Sequence, residues 1–413
     1  MTSYSWIGTQ RSRWPVVPIR KVCRLGTGHT PDRGEAEYWR EEDCVVPWVT
    51  VADIHRLPGL GLGAVEDTGQ HISDVGLANS AAVMHPAGTV MVSRTASIGF
   101  TCRIGKPMAT TQAFATWTPG PSVDSRYLLL VAKALAPEFS RLAYGSTHLT
   151  IYMPDIESIS MPLPPLAAQR AIADYLERET ARIDALITAR GRMAELLEER
   201  WRRMLDDAIW ISAAPQIALR RVVQFIDYRG ATPAKQSQGV PLVTAGHVRD
   251  GVIDYSTDPQ FIAESLYSDW MRRGLPEVGD VLMTTEAPLG QVAQIDDSSV
   301  ALAQRVILLK AAQHLLPDFL ALALRSMRFQ EHLNAYATGS TALGIKADRL
   351  KALAIPVPTV DEQSNVVRTM AKIDAVRTRL TDAVTRQIAV LTERRSALIT
   401  GVVTGDVQVS EAA

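Results

Sequence analysis

The chain of 413 residues repeats itself with a period of about 194 residues, and this duplication limits the fold more than any other feature. Gly145-Ser146-Thr147, followed by Met161-Pro162-Leu163-Pro164 and Gln169, returns without a gap. The second copy reads Gly339-Ser340-Thr341, then Ile355-Pro356-Val357-Pro358 and Gln363. Upstream, Gly88-Thr89-Val90-Met91-Val92 with Gly99 answers Gly279-Asp280-Val281-Leu282-Met283 with Gly290, at a slightly smaller offset. Gln112 and Gln304 also fall in line, and the Thr30-Pro31 and Thr232-Pro233 turns carry the match to the start of each half. One such coincidence is unremarkable, but a series in the same order implies two copies of one module.

Within each copy strands and turns come first and helices last. Pro47–Val51 and Pro241–Ala245 are rich in β-formers and flanked by turn residues. Thr89–Val92 and Asp280–Met283 are expected as short strands entered from a glycine turn. Ser125–Leu142, with a break expected at Pro137, and Pro317–Tyr336 carry helical periodicity. Each half therefore reads as an irregular α+β domain that stops at a Pro-x-Pro sequence.

A long helix is expected after each stop. Leu176, Thr180, Ile183, Ile187, Arg190, Ala194, Leu197, Trp201, Met204 and Ala208 form a heptad seam. A weaker one runs through Val366, Met370, Ile373, Arg377, Leu380, Val384, Gln387, Leu391, Arg394 and Leu398. No proline lies between Ala167 and Ala214, so about 45 residues can be helical, roughly 65–70 Å. A helix with so narrow an apolar stripe needs a partner, and the other copy supplies it. The reading is a first domain over 1–165, a spacer helix over 166–213, a second domain over 214–358, and a closing helix and tail over 359–413. The helices are expected to pair antiparallel, with pseudo-twofold symmetry.

Composition is that of a folded globular chain: 46% hydrophobic and 21% charged residues. No apolar run is long enough to span a bilayer, and the start lacks the order of a signal peptide. The three cysteines, Cys23, Cys44 and Cys102, are widely spaced without a histidine cluster, which argues against a disulfide scaffold or zinc site and for a reducing cytoplasm. A net charge of −1 means that any positive surface, such as phosphate contacts would need, must come from arrangement rather than excess. The chain carries no Walker A loop, HExxH, GxSxG or Asn-Pro-Pro-Tyr type of loop. Gly59-Leu60-Gly61-Leu62-Gly63 has the wrong spacing for a phosphate loop and reads as a surface loop.

This order of domain, helix, domain, helix resembles the specificity subunit of type I restriction–modification systems, from about Val17 to Val409. The resemblance is carried by Pro164–Leu176 running into Thr180–Ile187, by Glu393–Thr400 with Val403-Thr404-Gly405, and by Gly28–Pro31 with Glu37-Tyr38-Trp39 and Pro47–Thr50. Glu286–Gly290 resembles a later loop of the same domain. The Ile373-Asp374 pair departs from the pattern, arriving four residues earlier after Gln363 than Ile183-Asp184 does after Gln169. The resemblance implies a non-catalytic subunit whose two target recognition domains each read half of a split, asymmetric site in double-stranded DNA. The helices would act as a ruler between the half-sites. Two methyltransferase subunits would dock on the chain, and motor-nuclease subunits would join in a restriction complex. S-adenosylmethionine, and ATP with Mg, would belong to those partners, and this chain would bind no cofactor or metal.

Polar loops at matching places are the candidates for DNA contact: Thr27, Gly28, His29, Thr30, Arg94, Thr95, Ser97, Gln112, Ser146 and Thr147 in the first half. In the second they are Arg229, Thr232, His247, Thr285, Glu286, Gln304, Arg305, Ser340 and Thr341. Arginine suits guanine O6/N7, a carboxylate accepts from cytosine N4, and glutamine pairs with adenine. The alternatives are ordinary hairpin turns for Ser93–Ser97 and Thr284–Glu286, buried backbone caps for Gln112 and Gln304, and helix terminators for the Gly-Ser-Thr loops. Tyr38, Trp39 and Trp48 are expected in the core. Leu176, Ile183, Ile187, Leu197, Trp201, Ile373, Leu380, Val384, Leu391 and Leu398 are expected to pack the helix pair. Two other readings stay open, a stand-alone DNA-binding regulator and a two-domain protein-binding adaptor.

Overall fold

The structure, a computed structural model, describes residues 14–409 apart from 57–62, 96, 146–148, 211–212, 229–232, 250 and 340–342. The chain divides into two compact units, one made of Met1–Gly191 with Thr385–Ala413 and the other of Arg192–Val384.

In the first unit a five-stranded sheet has the order Cys23–Thr27, Phe114–Pro119, Val90–Ser93, Thr101–Ile104 and Ala64–Val65. It is antiparallel except at the short edge strand Ala64–Val65. A smaller sheet sets Val46–Val49 between His71–Ile72, antiparallel, and Ala109–Thr110, parallel. Val16–Pro18 pairs with Ser160–Pro162, which closes the domain just before the long helix begins.

The second unit follows the same plan, with four strands in its main sheet instead of five and with Lys235–Gln236 added at the edge of its small sheet. Val223–Asp227, Val306–Ala311, Val281–Thr285 and Leu289–Gln294 make its main antiparallel sheet. Val240–Val243 sits between Phe261–Ile262, antiparallel, and Ala301–Leu302, parallel. Gln216–Ala218 closes against Ala354–Pro356. Even single backbone bonds recur: Ile19 N to Ile159 O (3.0 Å) answers Leu219 N to Leu353 O (2.8 Å). The repeat-marking glycines hold matching left-handed turns, with φ of 82° at Gly99 and 81° at Gly290, a region that side-chain-bearing residues avoid.

The expected helix Ser125–Leu142 is two helices, Ser125–Ala134 and Ala136–Arg141, with Pro137 in the first turn of the second. Pro317–Tyr336, expected as one helix, is also two, Pro317–Arg325 and Met327–Ala335. The break is at buried Ser326, which adopts an extended backbone while its hydroxyl donates to Ala323 O and accepts from Trp210 Nε1 (2.9 Å). Asp206 then takes the N–H of Arg328 (2.9 Å), satisfying an otherwise unpaired donor in the first turn of the new helix.

The two long helices are Leu166–Ile209 and Val360–Thr404. Each unit takes a part of both. In the first unit, Ile172, Ala173 and Leu176 share a core with Ile399, Val402 and Val403. In the second, Trp201, Leu205 and Ile209 share one with Val366 and Met370. Early residues of one helix thus meet late residues of the other, so the pair is antiparallel in each unit. Ion pairs cross it at Asp184–Arg395 (3.0 Å) in the first unit and Glu198–Arg377 (2.9 Å) in the second.

The seam of the first long helix follows the expected one: Leu176, Ile183 and Trp201 are buried, and Ile187 and Leu197 half-buried. The second needs a correction. Ile373, Leu391 and Leu398 are half-buried and Val384 is 4% exposed, but Leu380 is 39% exposed, and Gln387 and Arg394 lie outside as well. The inward positions between the anchors are Thr381, Ile388 and Arg395. At about 100° per residue, a step of four lands about 40° from the starting face and a step of three about 60°, so Thr381 stays closer to Arg377's face than Leu380 does.

Candidate nucleic-acid interface

The polar residues of the first unit converge on the end of the small-sheet strand Ala109–Thr110. Thr27 Oγ1 donates to Phe114 O (2.7 Å) and His29 N to Thr110 O (2.9 Å). Gly28 lies so close to this strand that a Cβ there would be 1.9 Å from Thr110 O. Thr30 Oγ1 donates to Gln112 Oε1 (2.7 Å), and Arg94 Nε to Gln112 O (3.1 Å). Thr30, Arg94 and Gln112 are thus brought together across 82 positions of sequence. Thr95 bridges to Thr150, while Ser97 O accepts from the buried Ser93 hydroxyl, and Thr95 and Ser97 are half-buried. Gln112 is exposed rather than a buried cap.

Beside this cluster sits a residue that the sequence reading passed over. The Arg33 guanidinium lies 3.8 Å over Trp39 and 5.4 Å from Trp48, and its Nη2 donates to Gln70 Oε1 (3.3 Å). The two indoles meet edge to face at 5.5 Å. Trp48 is buried as expected, with Nε1 donating to His29 O (3.2 Å), whereas Tyr38 and Trp39 are only half-buried.

The second unit has a recess of about 330 Å³ at the corresponding place, lined by Lys235, Thr244, Gln260, Ala287, Gln304 and Arg305. Leu242, the counterpart of Trp48, is also in its wall. The correspondence is fixed by backbone bonds: Trp48 N to Gln70 O (3.1 Å) matches Leu242 N to Gln260 O (2.8 Å). Likewise Thr111 N to Val49 O (3.2 Å) matches Ala303 N to Val243 O (2.9 Å). Gln70 therefore answers Gln260, and Gln112 answers Gln304. Arg33 and Lys235 each stand two residues after the Thr-Pro turn, the signal by which sequence alone could have found them.

Two expectations in the second unit need correction. Thr284 and Thr285, expected in a loop, are buried residues of the strand Val281–Thr285, and Thr285 N and Oγ1 both donate to Arg305 O. Only Glu286 of that group is half-exposed, in a bridge to Gly344. His247 is 4% exposed, with Nδ1 accepting from Thr244 N (3.2 Å) and Nε2 against Asp258 O (3.1 Å), so neither ring nitrogen is free for a base. Its counterpart is Asp53, which accepts from Thr50 N and Thr50 Oγ1 (2.7 Å each) and from Gly69 N (2.7 Å). Both are caps that pin the loop before the glutamine. Ser146, Thr147, Arg229, Thr232, Ser340 and Thr341 lie outside the described residues, as does most of the Gly59–Gly63 stretch.

The model of the type I restriction modification DNA specificity domain matches residues 11–195 and 233–389, most of both units. The chain belongs to this family. Among curated members of this specificity family, it is 25% identical over 195 residues to the MjaIX specificity subunit of Methanocaldococcus jannaschii, covering 47% of this chain and 43% of that one. It is 22% identical over 275 residues to the EcoKI specificity subunit of Escherichia coli K12, covering 60% and 59%. These two matches thus span less than two thirds of either relative. The EcoprrI specificity subunit of Escherichia coli matches at 22% identity over 387 residues, 89% of each chain. A chain solved in work on complex assembly and conformational transition of the type I R-M system superposes with a TM-score of 0.69, at 16% identity, covering 97% of this chain and all of that one. The HsdS subunit of Thermoanaerobacter tengcongensis gives a TM-score of 0.50 at 15% identity, covering 97% and 99%. This specificity-family chain shares their fold.

Proposed function

We propose that this chain is the non-catalytic DNA-reading subunit of a type I restriction–modification complex, acting in the cytoplasm. The observation that carries the reading is the duplicated interface: one frame of backbone bonds, built twice, presents different side chains at the same places. Arg33 and Trp48 in one unit take the places that Lys235 and Leu242 take in the other. Two readers of one design with unlike side chains suit a split, asymmetric duplex site, since phosphate contacts position a protein while side chains at base edges specify.

The long helices set the gap between half-sites, and two methyltransferase subunits dock on the chain. These partners hold S-adenosylmethionine and transfer the methyl group, and motor-nuclease subunits with ATP and Mg join in a restriction complex. The test is methylome sequencing of cells with and without this chain. Loss of one split adenine-methylated motif is the expected result, and an unchanged methylome refutes the reading. Specific DNA binding by the purified chain with no effect of a methyltransferase subunit would favour the stand-alone regulator. A salt-independent interaction would favour the adaptor, because phosphate contacts release counterions.

A further inference from the structure

The two corresponding sites differ in which hydrogen-bonding groups they leave unspent, and that difference specifies a base for each. In the first unit both glutamine acceptors are engaged: Gln70 Oε1 takes Arg33 Nη2 (3.3 Å) and Gln112 Oε1 takes Thr30 Oγ1 (2.7 Å). What remains outward is a set of donors, the rest of the Arg33 guanidinium, held 3.8 Å over Trp39, and the Nε2 of exposed Gln112. Stacking on the indole removes much of the rotational freedom that binding would otherwise have to freeze. A donor-only array with a planar fork matches the O6 and N7 acceptors of guanine in the major groove.

In the second unit a leucine replaces the indole and the recess is open. Gln304 carries no side-chain hydrogen bond among the described residues, and neither do Lys235 or the Arg305 guanidinium. Gln260 donates from Nε2 to Asp258 Oδ2 (2.8 Å), but its Oε1 is buried without a partner. A buried orphan acceptor is uncommon in a folded protein and is satisfied when a donor arrives. Here the array mixes acceptor and donor. That matches adenine, which presents the N6 amino donor beside the N7 acceptor.

Resting on the reading of the chain as a DNA-specificity subunit, we propose that Arg33 with Gln112 reads a guanine of one half-site. Gln304, backed by Gln260 and Lys235, reads an adenine of the other. The experiment uses the complex of the full chain with its methyltransferase subunits, scored for binding to duplexes in which each base pair of the site is varied in turn. Arg33→Ala should lose about tenfold or more of the preference for one guanine, leaving the other half-site as sharply read as before. Gln304→Ala should do the same for one adenine in the opposite half. Replacing those bases by 7-deazaguanine or 7-deazaadenine in complexes of unaltered protein should reproduce the losses, independently of how any variant folds. Loss that is uniform across all sequences, with a shallower salt dependence, would mark phosphate contacts and overturn the proposal, as would unchanged base preference. If unaltered protein shows no split-site preference at all, it is the underlying functional reading that fails.

Discussion

The entry to each long helix is held by one buried glutamine, and removing that side chain gives a measurable prediction. Gln169 is fully buried; its Oε1 accepts from Asp124 N (2.8 Å), and its Nε2 donates to Ser122 O (2.9 Å) and Pro164 O (2.8 Å). Gln363 repeats the pattern with Leu316 N (2.8 Å), His314 O (2.9 Å) and Pro358 O (2.8 Å). Gln→Leu keeps the volume and strands three backbone groups. The bond to the proline carbonyl is buried, the bond to the N–H partly so, and Ser122 and His314 are exposed enough for their carbonyls to turn to water. Counting about 1–3 kcal/mol for a buried unsatisfied group and less for the other two, each substitution should destabilise its own unit by about 2–4 kcal/mol. Native-state hydrogen exchange read by peptide is the suitable assay, because it reports each unit separately. Gln169→Leu should raise exchange in the first unit and Gln363→Leu in the second, by similar amounts. A loss below about 1 kcal/mol, or equal effects in both units from one substitution, would refute the argument that the glutamine is a duplicated latch.

Three further outcomes follow from the packing. Val384→Ser should destabilise the second unit by about 2 kcal/mol or more, whereas Leu380→Ser should stay within about 0.5 kcal/mol, measured by urea unfolding; equal costs would restore the expected seam. Gly28→Ala places a methyl 1.9 Å from the Thr110 carbonyl, which belongs to the backbone and cannot swing away. It should lower the first unit's thermal transition by several degrees, and no shift would mean that the strand yields freely. Burial pushes the thiols of Cys23 and Cys102 up to about 12, so neither should react with iodoacetamide at pH 8 in the folded chain, and both should react once it is unfolded. Labelling of either in the native state by mass spectrometry would contradict their placement.

The duplication was legible because its markers do jobs that only one residue type can do. Gly99 and Gly290 hold left-handed turns, Pro164 and Pro358 follow the closing strands and supply the buried carbonyl, and Gln169 and Gln363 satisfy it. Where two residue types can do one job, the pattern vanished from the sequence. Asp53 and His247 cap equivalent loops, yet one is a carboxylate and the other an imidazole, so by composition the histidine looks like a DNA contact. Thr284 and Thr285 look like loop residues by composition, but hydroxyl groups are readily buried when the backbone satisfies them, as Arg305 O does for Thr285. The seam near Leu380 was ambiguous because the anchors Arg377, Val384 and Leu391 are common to both heptad readings, and only the packing chooses between them. Arg33 and Lys235 escaped because an insertion shifts them from the main repeat offset and because Trp39 has no obvious match in the second half.

The division of the chain also sets the order in which the molecule can be completed. The second unit is one unbroken stretch, Arg192–Val384, whereas the first draws Ile399, Val402 and Val403 of its core from the far end of the sequence. During synthesis the later-made unit has all its parts while the earlier-made one still waits for these last buried hydrophobic residues. A premature stop near the carboxyl terminus should therefore injure the amino-terminal reader and spare its neighbour, the reverse of what position in the gene would suggest.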